Sequence, residues 1–308
     1  MRYVQAMLHA ATTDGSGDAP LRVRALVLAS GSRGNCSILR IGAGEEELTV
    51  MIDGGLSPRR TSRLLADFGL ALTDIDAAIF THLDADHFNA GWTSKLPPHA
   101  PFLFHRRHRG RAERCGALRR RTTLMDEPFD LLDCLPAREG ARALPPCSVV
   151  VTPCLLSHDD LGVAAFRFDV ERAGMNASLG WATDLGRVSD RLIGALEGVG
   201  LLAIESNYCP QLQRASARPA YLKNRIMGGS GHLSNGESAE AVALIAPRGA
   251  VALLHLSQEC NTPQRARDAH ADHGRDLAVT AQDEPSGWIH AAARPVVHTR
   301  AVQSALFA

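Results

Sequence analysis

The chain has few aromatic residues: phenylalanine, tryptophan and tyrosine together make up 5% of its 308 residues. No platform of stacking rings stands out, which argues against sequence-specific reading of nucleic-acid bases. No apolar run reaches the roughly 18 residues that a membrane-spanning helix needs. The first twenty residues also lack the charged-then-apolar pattern of a secretory signal. A cytoplasmic protein without membrane association is the expectation. The seven cysteines (Cys36, Cys115, Cys134, Cys147, Cys154, Cys209 and Cys260) are odd in number and include no CxxC pair. That pattern argues against a disulfide framework or a thiolate zinc knuckle and leaves reduced thiols as the default. Basic and acidic residues balance at 33 each, so the whole molecule is no polycation. The sequence shows no internal repeat and no linker long enough to force a second domain.

What the chain does have is a core-forming composition, 45% hydrophobic, and thirteen histidines. The length suits one large α/β domain or two small ones. The informative stretch is Ile79-Phe80-Thr81-His82-Leu83-Asp84-Ala85-Asp86-His87. Ala77 to Phe80 reads as a short buried strand, and a polar burst follows where it ends. In an extended turn, side chains two apart converge. His82 and Asp84 can therefore reach one metal ion, and Asp86 and His87 a neighbouring one. Mixed nitrogen and oxygen donors split over two close ions are how proteins build binuclear hydrolytic centres. The competing reading is a solvated acidic loop after a strand.

Along the chain, residues 1–20 read as a leader. Leu21 to Leu28, Ser37 to Ile41 and Leu48 to Ile52 read as strands. A helix should start at Ser57 as cap with Pro58 in its first turn, bury Leu64, Leu65 and Phe68, and stop at Gly69. Phe102 to Phe104 is a further strand. Arg106, Arg107, Arg109, Arg111, Arg114, Arg119, Arg120 and Arg121 then crowd one segment. They either track a phosphate backbone or form a solvated face. Residues 122–147 yield little. Val149 to Val151, Val163 to Val170, Ala177 to Ala182, Leu201 to Ile204 and Val251 to Leu254 read as strands. Leu277 to Val279 reads as the last strand, with Trp288-Ile289 after a turn. Residues 228–232 form a glycine-rich loop. Ser234 and Glu237 have capping-box spacing, opening a helix that presents Ala241, Leu244 and Ile245 inward. Apolar strands thus end near His82, His158, Asp184 and His255. A layered α/β architecture that gathers strand ends on one rim would bring them into one cleft.

With these residues in place, the stretch from His82 to His87 resembles the HxHxDH motif of the metallo-β-lactamase superfamily, with Asp84 standing where the second His is usual. The resemblance spans roughly residues 24–290. Within it the chain is most similar to the YycJ/WalJ-like branch of DNA exonucleases. The supporting stretches include Ser30-Gly31-Ser32-Arg33-Gly34-Asn35, Asp53-Gly54-Gly55, Thr183-Asp184, Glu205-Ser206-Asn207, Leu222-Lys223-Asn224-Arg225-Ile226, Gly231-His232-Leu233-Ser234-Asn235 and His255-Leu256-Ser257. It implies an α/β fold, a single-domain αββα sandwich over residues 21–291, with 292–308 as a tail. It also implies two divalent metal ions. His82, Asp84 and His158 would hold the first, Asp86, His87 and His255 the second, and Asp184 would bridge them. Asp53 is either a carboxylate orienting a ligand histidine from behind or a strand-end turn residue.

The implied function is hydrolysis of a phosphodiester by metal-activated water, with DNA the favoured nucleic-acid substrate. Asp86 would orient the nucleophile. His232 would bind the phosphate or protonate the leaving group, or else be a structural histidine capping the next helix. Ser30, Ser32 and Asn35 would line the cleft or simply make a tight turn. Lys223 and Arg225 are candidate phosphate contacts. Asp84 hardens the first site and favours manganese or iron over zinc. The alternatives are hydrolysis of a small cyclic phosphodiester, ester, lactone or thioester on the same scaffold, and a non-catalytic binding protein with a degenerate first metal site.

Overall fold

The computed structural model describes residues 19–136, 145–158 and 160–296. Residues 1–18 of the expected leader and 297–308 of the expected tail lie outside them. The first sheet begins with β1 (Arg22–Ala29), β2 (Cys36–Ala43), β3 (Glu46–Gly54), β4 (Ala77–Phe80), β5 (Phe102–His105) and β6 (Thr122–Met125). The second is built from β7 (Phe129–Asp130), β8 (Ser148–Leu156), β9 (Val163–Arg172), β10 (Met175–Ala182), β11 (Leu201–Glu205), β12 (Val251–Leu254) and β13 (Leu277–Val279), again adjacent in sequence order. Then β14 (Trp288–Ala291) returns to pair with β1, and β15 (Arg294–Pro295) pairs with β10.

The two sheets follow one plan. β1 to β3 form an antiparallel meander, and β4 to β6 continue in parallel. β8 to β10 repeat the meander, and β11 to β13 the parallel run. The chain is therefore duplicated in topology although no sequence repeat marks it. Parallel neighbours require crossovers, and the helices in those crossovers cover both outer faces. Leu65 and Trp92 pack with Phe80 and Phe102 outside the first sheet. Leu192, Val242, Ile245 and Ala266 do the same outside the second. Between the sheets, Leu39, Val50 and Ile79 meet Phe166, Phe168 and Trp181 in one core. This is the expected single-domain αββα sandwich.

Local chemistry explains the element boundaries. Ser57 accepts from Arg60 N at 3.3 Å with Pro58 in the first turn, and Gly69 takes φ 69° beyond the helix end. Ser234 and Glu237 form the reciprocal capping box. Three expectations change. Leu244 is 50% exposed, because Ser238, Ala241, Val242 and Ile245 already define the buried arc and Leu244 falls outside it. The strand expected to stop at Val151 runs on through Pro153 to Leu156. Pro153 is tolerated because β7 pairs only Val150 and Val151, leaving an open edge further along. Beyond Val279 there are two more strands, β14 and β15. The glycine-rich loop includes a wide helical turn, Ile226–Ser230, broken at Gly228 and Gly229.

The arginine segment divides. Arg120 is half-buried and donates to the carbonyls of Thr93, Leu96, Pro97 and Ala100, with its guanidinium 5.4 Å from the Phe102 ring centroid. It is a structural clamp on the turn between the Trp92–Lys95 helix and β5. Replacing it with alanine leaves those carbonyls short of a charged donor. Arg120→Ala should lower unfolding stability by about 2 kcal/mol, read as a fall in thermal midpoint. Alanine at the exposed neighbours Arg119 and Arg121 should change it by no more than about 0.5 kcal/mol.

Candidate metal centre

The rim where both sheets end collects the polar side chains. Asp53 lies near the end of β3, Thr81-His82 directly follows β4, Thr183-Asp184 follows β10, and His255 follows β12. Asp53, Asp184 and His255 adopt left-handed backbone with φ of 57°, 54° and 57°. Each such turn costs an L-residue about 1–2 kcal/mol, and the surrounding bonds hold it in place. Ser30 Oγ accepts from His255 N at 2.7 Å, and Asp53 Oδ1 accepts from Thr81 N at 2.8 Å. The Asp86 turn is held by Asn35, whose backbone N donates to Asp86 O at 2.7 Å. Gly55 must be glycine here: a Cβ would sit 1.8 Å from Asp86 O.

Two buried histidines are oriented in parallel ways. His87 Nδ1 lies 2.8 Å from Asp53 Oδ2, which leaves Nε2 facing inward, 2.9 Å from Asp184 Oδ2. His255 Nδ1 lies 3.3 Å from Glu205 Oε1 and 3.2 Å from Asp184 Oδ1. Its Nε2 is buried, makes no hydrogen bond and lies 3.8 Å from Asp86 Oδ2. Thus Asp53 acts from the first sheet as Glu205 acts from the second. Glu205, from the end of β11, also accepts from Leu185 N at 2.6 Å and holds His232 Nδ1 at 2.7 Å. Sequence reasoning quoted Glu205 within a motif but gave it no role. The signal was an acid closing an all-apolar strand.

The remaining expected residues fall at different distances from this centre. Ser32, His82, Asp84, Asp86, His158, Asp184, Arg225, His232 and His255 line one pocket of about 220 Å³. Within it, His158 Nδ1 meets Gly231 O at 3.2 Å. Asp84 is engaged by the Arg111 guanidinium from the basic segment. Ser30 and Asn35 are buried supports of His255 and of the Asp86 turn and do not line this pocket. Lys223 donates to Arg214 O at 2.8 Å and does not line the pocket. His232 does not cap the following helix, since Ser234 does.

Three overlapping sets place donor atoms within 4.8 Å of one another: His82, His87 and Asp184; Asp86, His87 and His255; and Asp184, Glu205, His232 and His255. Burial favours neutral His87, but the Asp184 and Asp53 carboxylates overcome it and raise its pKa well above the usual value. His255 is likewise pushed up to about 10, burial being outweighed by Asp184, Asp86 and Glu205. His82 goes the other way, lowered by burial and then by the neighbouring His87 charge. The excess of carboxylate that draws protons onto His87 and His255 is what a divalent cation neutralises when it displaces them. Together with the unpartnered His255 Nε2, the donor set fits divalent metal.

Fold and site thus define an α/β metal-dependent hydrolase whose centre lies on the rim shared by two sheets. The family model of the metallo-β-lactamase superfamily matches residues 30–101. It is 26% identical over 242 residues to the exodeoxyribonuclease WalJ of Streptococcus pneumoniae, covering 78% of this chain and 84% of the relative. It is 27% identical over 243 residues to the exodeoxyribonuclease YycJ of Bacillus anthracis, covering 78% and 85%. Among solved structures, the metallo-β-lactamase fold protein YhfI of Bacillus subtilis superposes with a TM-score of 0.60 at 14% identity, over 88% of this chain and 100% of the other. A diphosphatase of the PhnP family superposes at 0.59 and 15%, over 89% and 100%.

If Asp53 sets the His87 ring, Asp53→Asn should weaken metal binding about tenfold without unfolding the protein. Competition with a chromogenic chelator measures this. Unchanged affinity would assign Asp53 to the turn alone.

Proposed function

We propose that this metal-dependent hydrolase is a phosphodiesterase acting on DNA as an exonuclease. The observation that carries the reading is the convergence of His82, Asp86, His87, His158, Asp184, His232 and His255 on one rim. The similarity to curated exodeoxyribonucleases over most of the chain supports the substrate. His82, Asp84 and His158 would hold one divalent ion and Asp86, His87 and His255 a second, with Asp184 shared. Asp84, paired with Arg111, brings a carboxylate that favours manganese or iron over zinc. When bound, the ions supply Lewis-acid charge against the phosphate and a nucleophilic water near neutral pH.

The protein's own groups do the rest. Asp86, 28% exposed at its side chain, faces the pocket and orients the attacking water. His232 holds Glu205 through Nδ1, leaving Nε2 as the nitrogen that delivers a proton to the departing oxygen. Arg225 and Ser32 line the same pocket and contact the phosphate oxygens. Arg107, exposed in the basic segment and bonded to Asp160 O at 2.9 Å, adds positive charge near the His158 turn.

The test is digestion of end-labelled single- and double-stranded DNA beside a small generic phosphodiester. A chelator should abolish both activities and added divalent metal restore them. Asp184→Asn should lower kcat by about 10²-fold or more, the scale on which one transition-state electrostatic contact acts. Raising salt from about 50 to 200 mM should cut DNA cleavage at low substrate by about tenfold, because phosphate contacts release counterions. Cleavage of the small ester should barely respond. Turnover of the small ester with no cleavage of DNA would refute the nuclease reading.

A further inference from the structure

Tyr221 is 75% exposed; among the described residues only it and Leu244 are large hydrophobic side chains left in water. Its surroundings are not those of a stray surface residue. It sits on the short helix Ala220–Arg225, which leads into the Ile226–Ser230 turn and then His232. The helix is pinned from beneath: Leu222 packs against the cluster of Tyr208, Ile226 and Cys260, and Lys223 ties it to Arg214 O. Tyr221 and Arg225 are four residues apart and share a helix face. Arg225 and Leu222 both line the pocket that holds His82, Asp86, Asp184 and His255. An exposed ring therefore stands one helical turn from a guanidinium that reaches the reaction centre.

The size of the pocket gives the ring a task. About 220 Å³ is below the roughly 300–1,000 Å³ of sites that enclose a whole small ligand. A phosphate and its ester oxygens fit among the metal-capable donors, but the bases on either side must lie outside. Tyr221 is the exposed ring on the helix whose Leu222 and Arg225 line that side of the pocket. Every base offers a π-face, so an aromatic there grips a strand without regard to sequence. We propose that Tyr221 is a stacking platform for the nucleobase flanking the scissile phosphate, with Arg225 holding the phosphate beside it. This rests on the nuclease reading above and specifies how that same site takes hold of a strand in an otherwise aromatic-poor chain.

The experiment compares full-length wild-type protein with Tyr221→Ala and Tyr221→Trp, all metal-loaded. The substrates are two end-labelled single-stranded DNAs, one unmodified and one with abasic sugars at its terminal positions. Tyr221→Ala should raise KM for unmodified DNA about tenfold, within the range that losing one base–aromatic stack produces, with kcat little changed. Wild-type protein should lose about the same factor on the abasic DNA, on which Tyr221→Ala loses nothing further. Tyr221→Trp should restore the wild-type KM. Equal losses on both DNAs, or none on either, would overturn the proposal while leaving the nuclease reading standing. Wild-type protein that turns over a generic phosphodiester but no DNA would overturn both.

Discussion

Three carboxylates, Asp53, Asp184 and Glu205, are buried within reach of His87, His232 and His255, and the rest of the structure exists to keep them there. Burying an ionised carboxylate is costly unless it is paired or hydrogen-bonded. Each of these is answered on both sides. Asp53 takes Thr81 N and His87; Glu205 takes Leu185 N, His232 and His255; Asp184 takes Thr183 Oγ1, His87 and His255. The balance closes only when the histidines carry protons or a cation stands among them. That requirement makes the rim a candidate metal site.

The duplicated topology explains how so many acids and imidazoles reach one rim. In each half, an antiparallel meander ends on an aspartate in left-handed backbone, Asp53 after one and Asp184 after the other. The next parallel strand contributes the group beside it, Thr81-His82 from β4 and Glu205 from β11. Asp53 turns its carboxylate onto His87. Asp184 faces both His87 and His255 and stands in the middle. The two halves thus supply equivalent positions to different tasks.

Much of this was legible in the chain. Periodicity located most of the strands, caps at Ser57 and Ser234 located two helices, and the density of ligands between His82 and His87 marked the site. What was not legible depended on packing across the molecule. Ser30 and Asn35 look like loop donors, yet one holds the His255 backbone and the other the Asp86 turn. Arg120 looks like one cation among eight but is consumed by four carbonyls. Such roles rest on contacts between segments far apart in sequence, and local spacing does not encode them. The family resemblance supplied His158, Asp184 and His255 as a set, which strand-end position alone left as separate histidines and an acid.

The departure at Asp84 is a matter of charge as much as of ligand type. Putting a carboxylate where an imidazole is usual adds one negative charge to the mouth of the pocket. Arg111, from the arginine-rich segment, brings one positive charge to that carboxylate. The pair together carries the same net charge as the neutral imidazole. The carboxylate thereby brings a guanidinium to the edge of the cleft, and a guanidinium matches the oxygens of a phosphate geometrically as well as electrically. The residue that weakens the likeness to a histidine-rich zinc site is the one that brings a guanidinium beside it.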